Sequence, residues 1–194
     1  CLTFSVLCDI ILDEFTSKES DNMVYRTSCT CGYFAKDVLI QMADHSSKPI
    51  EQIRIGDAII TKDNGVQTVR EIITGIGDTI VTIIVSNGRK IRVTKDHPIL
   101  SDNNDMKRAD ELKVGTIIVS EDGETPVLSV EEADYNDTVY NLNLEKGSIL
   151  LANGIYAGDF QMQTKYGKSS NNGNHEDHKE LLGILEEYKK LNEI

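Results

Sequence analysis

Four cysteines near the start of the chain are the first residues whose side chains could do chemistry. They are Cys1, Cys8, Cys29 and Cys31, and every later sulfur belongs to methionine. A thiol can be buried, oxidised to a disulfide, bound to a metal or used as a nucleophile. We favour buried thiols with one local disulfide. A zinc site is disfavoured, because a Cys-x-Cys pair lacks the two-residue spacer common in zinc clips. A reactive thiol is the third interpretation.

Two histidines, His175 and His178, lie near the other end of the chain, where an amphipathic pattern begins. Apolar residues recur there at helical spacing: Leu181, Leu182, Ile184, Leu185, Tyr188 and Leu191. This spacing predicts an amphipathic helix over residues 179–194. The helix could pair with a partner protein, but we favour folding back on the domain. The histidines are interpreted as solvated rather than as a metal pair. Residues 164–178 are rich in Ser, Asn and Gly and are predicted to be a flexible linker.

Composition and charge limit the classes of partner. The chain has 194 residues, of which 39% are hydrophobic and 27% charged, and this suits one soluble domain with extensions. A net charge of −12 repels phosphate backbones and anionic lipid, so we expect neither nucleic acid nor a membrane as partner. No apolar run is long enough to cross a bilayer. Residues 1–15 lack the basic start of a signal peptide, and the first residue is not Met, so we expect a fragment or a processed chain.

An internal repeat organises the middle of the chain. Residues 50–60 (IEQIRIGDAII) resemble residues 109–119 (ADELKVGTIIV), and residues 78–94 (DTIVTIIVSNGRKIRVT) resemble residues 137–153 (DTVYNLNLEKGSILLAN). One offset of 59 positions aligns all of these segments. An offset that is constant over separated segments indicates two copies of one structural unit.

Each copy has the pattern of short strands joined by turns. The predicted strands are residues 58–61, 81–85, 89–93 and 116–120, which are rich in β-branched side chains. Asn87-Gly88 is a hairpin signal between two of them. A single helical turn is expected at residues 49–53 and again at 108–112. Alternating strands and frequent turns predict an all-β domain with pseudo-two-fold symmetry.

Three segments resemble the sequence blocks of Hint domains, the self-processing fold of inteins, hedgehog C-terminal domains and bacterial intein-like modules. The first is FAKDVLIQMADHSSKPIEQIRIGDAIIT, the second is VTKDHPIL with its Thr-x-x-His signature, and the third is TVYNLNLEKGSILLANGIYAGD. They span Tyr33 to Asp159 and are closest to the bacterial intein-like modules. The resemblance implies an all-β Hint/intein-like horseshoe of two pseudo-symmetric β-repeats, with the amphipathic helix appended. We therefore assign residues 1–32 to a flanking segment, 33–163 to the Hint domain, 164–178 to the linker and 179–194 to the helix.

The resemblance also implies a reaction. In such domains the first side chain attacks the preceding carbonyl and turns the peptide bond into a thioester or ester. The scissile junction would here follow Gly32. His97 would protonate the departing amide nitrogen, and Thr94 would hold the scissile carbonyl by a hydrogen bond. The substrate is then the chain's own flanking segment, and no cofactor is implied.

Both ends of the block pattern depart from the family. The nucleophile position is occupied by Tyr33, whose phenol deprotonates only near pH 10 and whose rigid ring cannot fold back onto the preceding carbonyl. Cys31 would substitute only if the register bulges. At the other end Gly158 and Asp159 stand where the family closes with His and Asn. A carboxylate lacks the amide nitrogen needed for Asn cyclisation, so we expect no splicing and, from Asp159, at most slow cleavage through an anhydride.

Two functions fit these departures. The first is a self-processing Hint domain that cleaves in cis near Gly32 by an N–S or N–O acyl shift, here inactive or trapped as a precursor. The second is a degenerate Hint domain that serves as a binding or presentation scaffold. A protease acting on other proteins is disfavoured, because the family's active site serves its own backbone. The sequence indicates no cellular compartment.

Overall fold

The computed structural model describes residues 32–62 and 65–166. The flanking segment before Gly32, including Cys31 and the other cysteines, lies outside the described residues. The predicted helix at 179–194 and most of the predicted linker lie outside them as well. No helix of the described residues is long and apolar enough to cross a membrane.

The described chain is built mainly from strands in one sheet. The strands are β1 (Phe34–Ala35), β2 (Leu39–Gln41), β3 (Ser47–Pro49), β4 (Ala58–Thr61), β5 (Gly65–Val85), β6 (Lys90–Val93), β7 (Pro98–Leu100), β8 (Met106–Arg108), β9 (Ile117–Ser120), β10 (Gly123–Leu144), β11 (Ile149–Ala152) and β12 (Ile155–Gly158). One short helix, α1 (Phe160–Tyr166), follows them. It crosses the boundary placed after residue 163, so the first three residues assigned to the linker are helical.

The two longest strands of the sheet, β5 and β10, pair with each other. β5 and β10 run antiparallel, with pairs from Val85↔Val127 to Val69↔Leu144. The sheet order is β3-β2-β11-β4-β5-β6-β1-β10-β9-β12-β7-β8, and additional β5–β10 and β11–β12 pairings fold it back on itself. At the end of β5 buried residues alternate with half-buried ones, because successive side chains of a strand point to opposite faces. This sheet brings segments that are distant in the sequence onto one core.

The predicted repeat is present in the structure. The isolated bridge Met42↔Ile59 recurs 59 residues later as Ser101↔Ile118. The predicted helical turns are 3-10 helices at Ile50–Gln52 and Ala109–Glu111. Each is followed by a glycine with positive φ, 92° at Gly56 and 88° at Gly115. The two copies therefore repeat their turns and their strand pairings as well as their sequence.

Candidate functional site

The strand β1, which directly follows the Gly32–Tyr33 peptide, fixes the position of this peptide. In β1, Phe34 pairs with Val93 on one side and with Tyr140 on the other. Because β6 ends at Val93, the segment from Thr94 to His97 turns next to this peptide. Gly32 and Tyr33 are both buried, and Tyr33 is 7% exposed. The predicted junction is thus held between two strands of the core.

Thr94 contacts the nitrogen side of the junction. The Tyr33 backbone N–H donates to Thr94 Oγ1 over 2.7 Å, and the Thr94 N–H donates to the Tyr33 carbonyl over 2.8 Å. The sequence analysis expected Thr94 to hold the Gly32 carbonyl instead. Among the described contacts, the hydroxyl accepts from the amide nitrogen of the peptide, and the Gly32 carbonyl is bound by another residue.

Asn141 holds the carbonyl, and the sequence analysis missed it. Its Nδ2 donates to the Gly32 carbonyl oxygen over 2.6 Å and to Gln163 Oε1 over 3.0 Å. Its Oδ1 accepts from the Leu142 N–H over 2.8 Å, and the whole side chain is buried. The available signal was strand alternation, which puts Asn141 on the same buried face as Val139. An amide at an inward position of a strand needs polar partners, and one of them is the junction.

His97 is fully buried beside the same peptide. Its ring centroid is 4.0 Å from that of Phe34, at a tilt of 58°. Burial lowers the pKa of His97 to about 3, although the backbone of Gly32 and of Gly158 favours the charged form. Among the described residues neither ring nitrogen reaches a partner with hydrogen-bond geometry, so we treat these two backbone contacts as weak. His97 is therefore neutral at pH 7 and lies between the two candidate junctions.

Gly32 has no room for a side chain. A Cβ at this position would lie 2.4 Å from the His97 Cα and 2.9 Å from its backbone nitrogen. We expect Gly32→Ala to lower the free energy of unfolding by about 1–3 kcal/mol, because the His97 backbone would have to move. Urea unfolding measures this change. Gly75→Ala is the matched control, since a Cβ there meets its nearest neighbour, Tyr33 Cζ, at an ordinary 3.7 Å. Equal losses in the two variants would contradict the expectation.

The Tyr33 ring is part of the hydrophobic core. Its far end faces Gly75 in β5, where an added Cβ would lie 3.7 Å from Cζ and 3.9 Å from Oη. The hydroxyl is separated from its own Cα by the length of the ring. This arrangement fits the expectation that Tyr33 does not act as the nucleophile. Cys31, the other candidate, lies outside the described residues.

Asp159 caps helix α1. Its Oδ1 accepts from the Met162 N–H over 2.9 Å, and its backbone carbonyl accepts from the Gln163 N–H over 3.1 Å. Asp is a preferred residue at this position, because its side chain satisfies a free N–H of the first turn. The carbonyl that an anhydride mechanism would attack is already bonded within the helix. The contacts of Asp159 therefore support a structural role.

The Asp159 carboxyl should make stability depend on pH. Burial raises its pKa from 3.8 to about 6, while backbone N–H donors, Met162 first, favour the charged form. Between these two values the folded chain binds more protons than the unfolded chain, so the free energy of unfolding falls as pH rises. Relative to Asp159→Asn, which keeps a capping acceptor, we expect the unaltered chain to lose about 2 kcal/mol between pH 4 and pH 7. Urea unfolding at several pH values measures this, and parallel curves for the two proteins would contradict it.

The second repeat contains a counterpart of the Thr94 arrangement. Asn153, which the offset aligns with Thr94, accepts the Leu39 N–H at Oδ1 over 2.8 Å. Its own N–H donates to the Leu39 carbonyl over 2.8 Å. Thr94 and Asn153 are both half-buried, so the two repeats place these polar residues at equivalent depths. A cleft of about 430 Å³ borders Asn153, and no junction residue lines it. The Gly32–Tyr33 peptide and the side chains around it thus lie away from this cleft.

The structure brings three of the predicted residues to one peptide bond, namely Tyr33, Thr94 and His97. Asp159 is connected to this group through its neighbour Gly158, whose backbone faces His97. Within the described part of the chain, no three His, Cys, Asp or Glu side chains converge as a metal site would require.

Comparisons with known proteins identify the fold. No protein-family model and no curated protein matches the chain. The solution structure of a bacterial intein-like domain from Clostridium thermocellum matches with a TM-score of 0.58 at 19% identity, covering 66% of this chain and 98% of that one. The crystal structure of gp41-1 intein matches with a TM-score of 0.57 at 19% identity, covering 65% and 97%. A DnaB intein from Synechocystis gives 0.56 at 19% identity, covering 66% and 98%. The described domain has the Hint fold, as the sequence blocks predicted.

Proposed function

We propose that this domain is a self-processing module whose cleavage site is the Gly32–Tyr33 peptide, and that Tyr33 keeps it in the uncleaved form. One observation carries the proposal: side chains from different segments converge on a single peptide bond. Asn141 binds its oxygen over 2.6 Å and Thr94 binds its nitrogen over 2.7 Å. The His97 backbone lies against Gly32, and its imidazole faces the Gly32 backbone. A core that only had to be stable would not need three polar side chains at one backbone position. The substrate in this proposal is the flanking segment that ends at Gly32.

With cysteine at position 33, the reaction forms one carbon–sulfur bond, breaks one carbon–nitrogen bond and moves one proton from sulfur to nitrogen. The sulfur attacks the Gly32 carbonyl carbon, and the negative charge that forms on the carbonyl oxygen is met by the Asn141 amide. The carbon–nitrogen bond then breaks. The nitrogen of residue 33 leaves as an amine with the proton that the thiol gave up, and Gly32 remains as a thioester. An added thiol exchanges with this thioester and releases residues 1–32.

His97 would move the proton in this scheme. Because its pKa is lowered to about 3, the imidazole is neutral at pH 7, with one nitrogen free to accept a proton and the other carrying one. A neutral imidazole can take the proton of the nucleophile and return it to the leaving nitrogen. Its position next to the Gly32 backbone supports this role. Thr94, which accepts the N–H of residue 33, would orient the leaving nitrogen.

The test is intact-mass spectrometry of the Tyr33→Cys chain, incubated for hours at pH 7 with and without dithiothreitol. We expect cleavage after Gly32 in the thiol and an intact chain for the unaltered protein. Tyr33→Ala is the matched control, because it removes the ring without supplying a nucleophile. A Tyr33→Cys chain that is folded by circular dichroism and stays whole would reject the proposal.

The second candidate, a scaffold for binding or presentation, is favoured by one feature. Asp159 caps α1, so the chain continues as a helix past the point where the family's C-terminal block ends. A domain that keeps both of its flanks could present them. The same experiment separates the two functions, since a scaffold predicts no cleavage in any position-33 variant.

A further inference from the structure

We infer that Gln163 in helix α1 is a positioning residue for the Gly32 junction, so that the helix after the C-terminal block forms part of the N-terminal site. The inference rests on the proposed function and names a component of the same site. It starts from one contact, the hydrogen bond from Asn141 Nδ2 to Gln163 Oε1 over 3.0 Å. Both side chains are buried, and Gln163 is 3% exposed.

The contact fixes which way the Asn141 amide faces. An asparagine side chain has two N–H donors on one atom and a carbonyl acceptor on another. Asn141 gives one donor to the Gly32 carbonyl and the other to Gln163, while its Oδ1 accepts from Leu142. A buried donor without a partner is costly, so loss of the Gln163 acceptor would favour other orientations of the amide. The donor to Gly32 would then be held less firmly.

The helix is built to keep Gln163 in place. Asp159 caps its first turn, and the Gln163 N–H donates to the Asp159 carbonyl over 3.1 Å. The approach to the sheet is close, since a Cβ added at Gly158 would lie 2.9 Å from Met162 Cβ. The cap of the first turn and this close packing keep α1 where Gln163 reaches Asn141.

The same helix supplies a matched control. Gln161 also reaches from α1 to β10, but it donates to the Leu144 carbonyl over 2.7 Å and to Asn143 Oδ1 over 2.9 Å. These two contacts join the helix to the sheet and do not involve Asn141. Methionine is similar in size to glutamine but has no amide, so replacing either glutamine by methionine removes only its hydrogen-bonding group. Only the Gln163 change removes a partner of the junction-binding side chain.

The kinetic test uses the full chain with Tyr33→Cys and follows thiol-induced cleavage by intact mass. We expect Gln163→Met to slow cleavage about tenfold, as loss of an orienting partner does at other sites, and Gln161→Met to leave the rate unchanged. In a chain that also carries Asn141→Ala, Gln163→Met should cause no further slowing, because the group it orients is absent. A purely structural effect would slow both backgrounds alike and would overturn the inference. Equal rates for the two methionine variants would overturn it too.

A second measurement does not depend on cleavage, so it separates failure of this inference from failure of the proposed function. The unaltered chain is labelled with ¹³C at glycine carbonyls, and the Gly32 resonance is assigned with the Gly32→Ala variant. Asn141→Ala should shift this resonance by removing its hydrogen bond, and Gln163→Met should shift it in the same direction while Gln161→Met does not. If Tyr33→Cys stays whole but these shifts appear, the proposed function fails and the positioning role stands. If Gln163→Met leaves the resonance unmoved, the positioning role is rejected.

Discussion

Removing the Asn141 side chain from the Tyr33→Cys chain is expected to slow cleavage after Gly32 by about 100-fold. The carbonyl oxygen of Gly32 gains negative charge in the transition state, and Asn141 Nδ2 is the described donor that already touches it, over 2.6 Å. A donor fixed in a buried site stabilises this charge more than water does, since it needs no reorganisation. Rate constants from intact-mass time courses, compared with and without Asn141→Ala, measure the effect.

Asn143→Ala is the control for this prediction. Asn143 lies two residues farther along β10 and bonds Glu71 and Gln161 instead of the junction. Its loss tests whether cleavage responds to any weakening of this strand. Similar slowing by both alanine variants would mean that Asn141 acts through stability, and the carbonyl-binding role would be abandoned.

Removing the imidazole of His97 should have an effect of the same order or larger. In the Tyr33→Cys chain we expect His97→Ala to reduce the cleavage rate by on the order of 100-fold to 10,000-fold, because no other described side chain at the junction can both accept and donate a proton near pH 7. His45→Ala is the control, since His45 is exposed in a turn of the first repeat. Thermal unfolding by circular dichroism confirms that each variant is folded before its rate is compared.

The pH dependence of cleavage tests the protonation state of His97. Its pKa of about 3 leaves the imidazole neutral over the whole range from pH 5 to pH 8. The rate in Tyr33→Cys should therefore rise with pH as the thiol ionises, with no separate inflection near pH 6.5 from an ordinary histidine. An inflection near pH 6.5 that disappears in His97→Ala would contradict this, because it would show that His97 titrates in this range.

Local patterns were enough to predict the framework of this domain. The 59-residue offset, the helical turns at residues 49–53 and 108–112, and the strand at Ala58–Thr61 were all predicted correctly from the sequence. Each depends on interactions over a few residues, namely the alternation of a strand, the positive φ of glycine, or a single helical turn. These local patterns are the same whichever strands become neighbours in the sheet.

Asp159 shows that a local signal can be overlooked. An Asp that directly precedes the helical sequence FQMQTKY is a helix N-cap pattern, and its bond to Met162 spans only three residues. The alignment of Asp159 with a terminal Asn predicted slow cleavage at this position instead. The capping role was therefore available from the sequence, and the structure supplies the contact that favours it.

The sequence by itself determined the repeat and the all-β fold, and it predicted Tyr33, Thr94 and His97 as residues of the junction. The tertiary structure decided the polar contacts of the junction: Asn141 reaches Gly32 across 109 positions of sequence, and Gln163 reaches Asn141 across 22. It also decided that His97 is buried and neutral, since burial is a property of the whole core. The physical reason is that an inward-facing amide needs a partner, whereas the identity of that partner depends on the order in which distant strands pair.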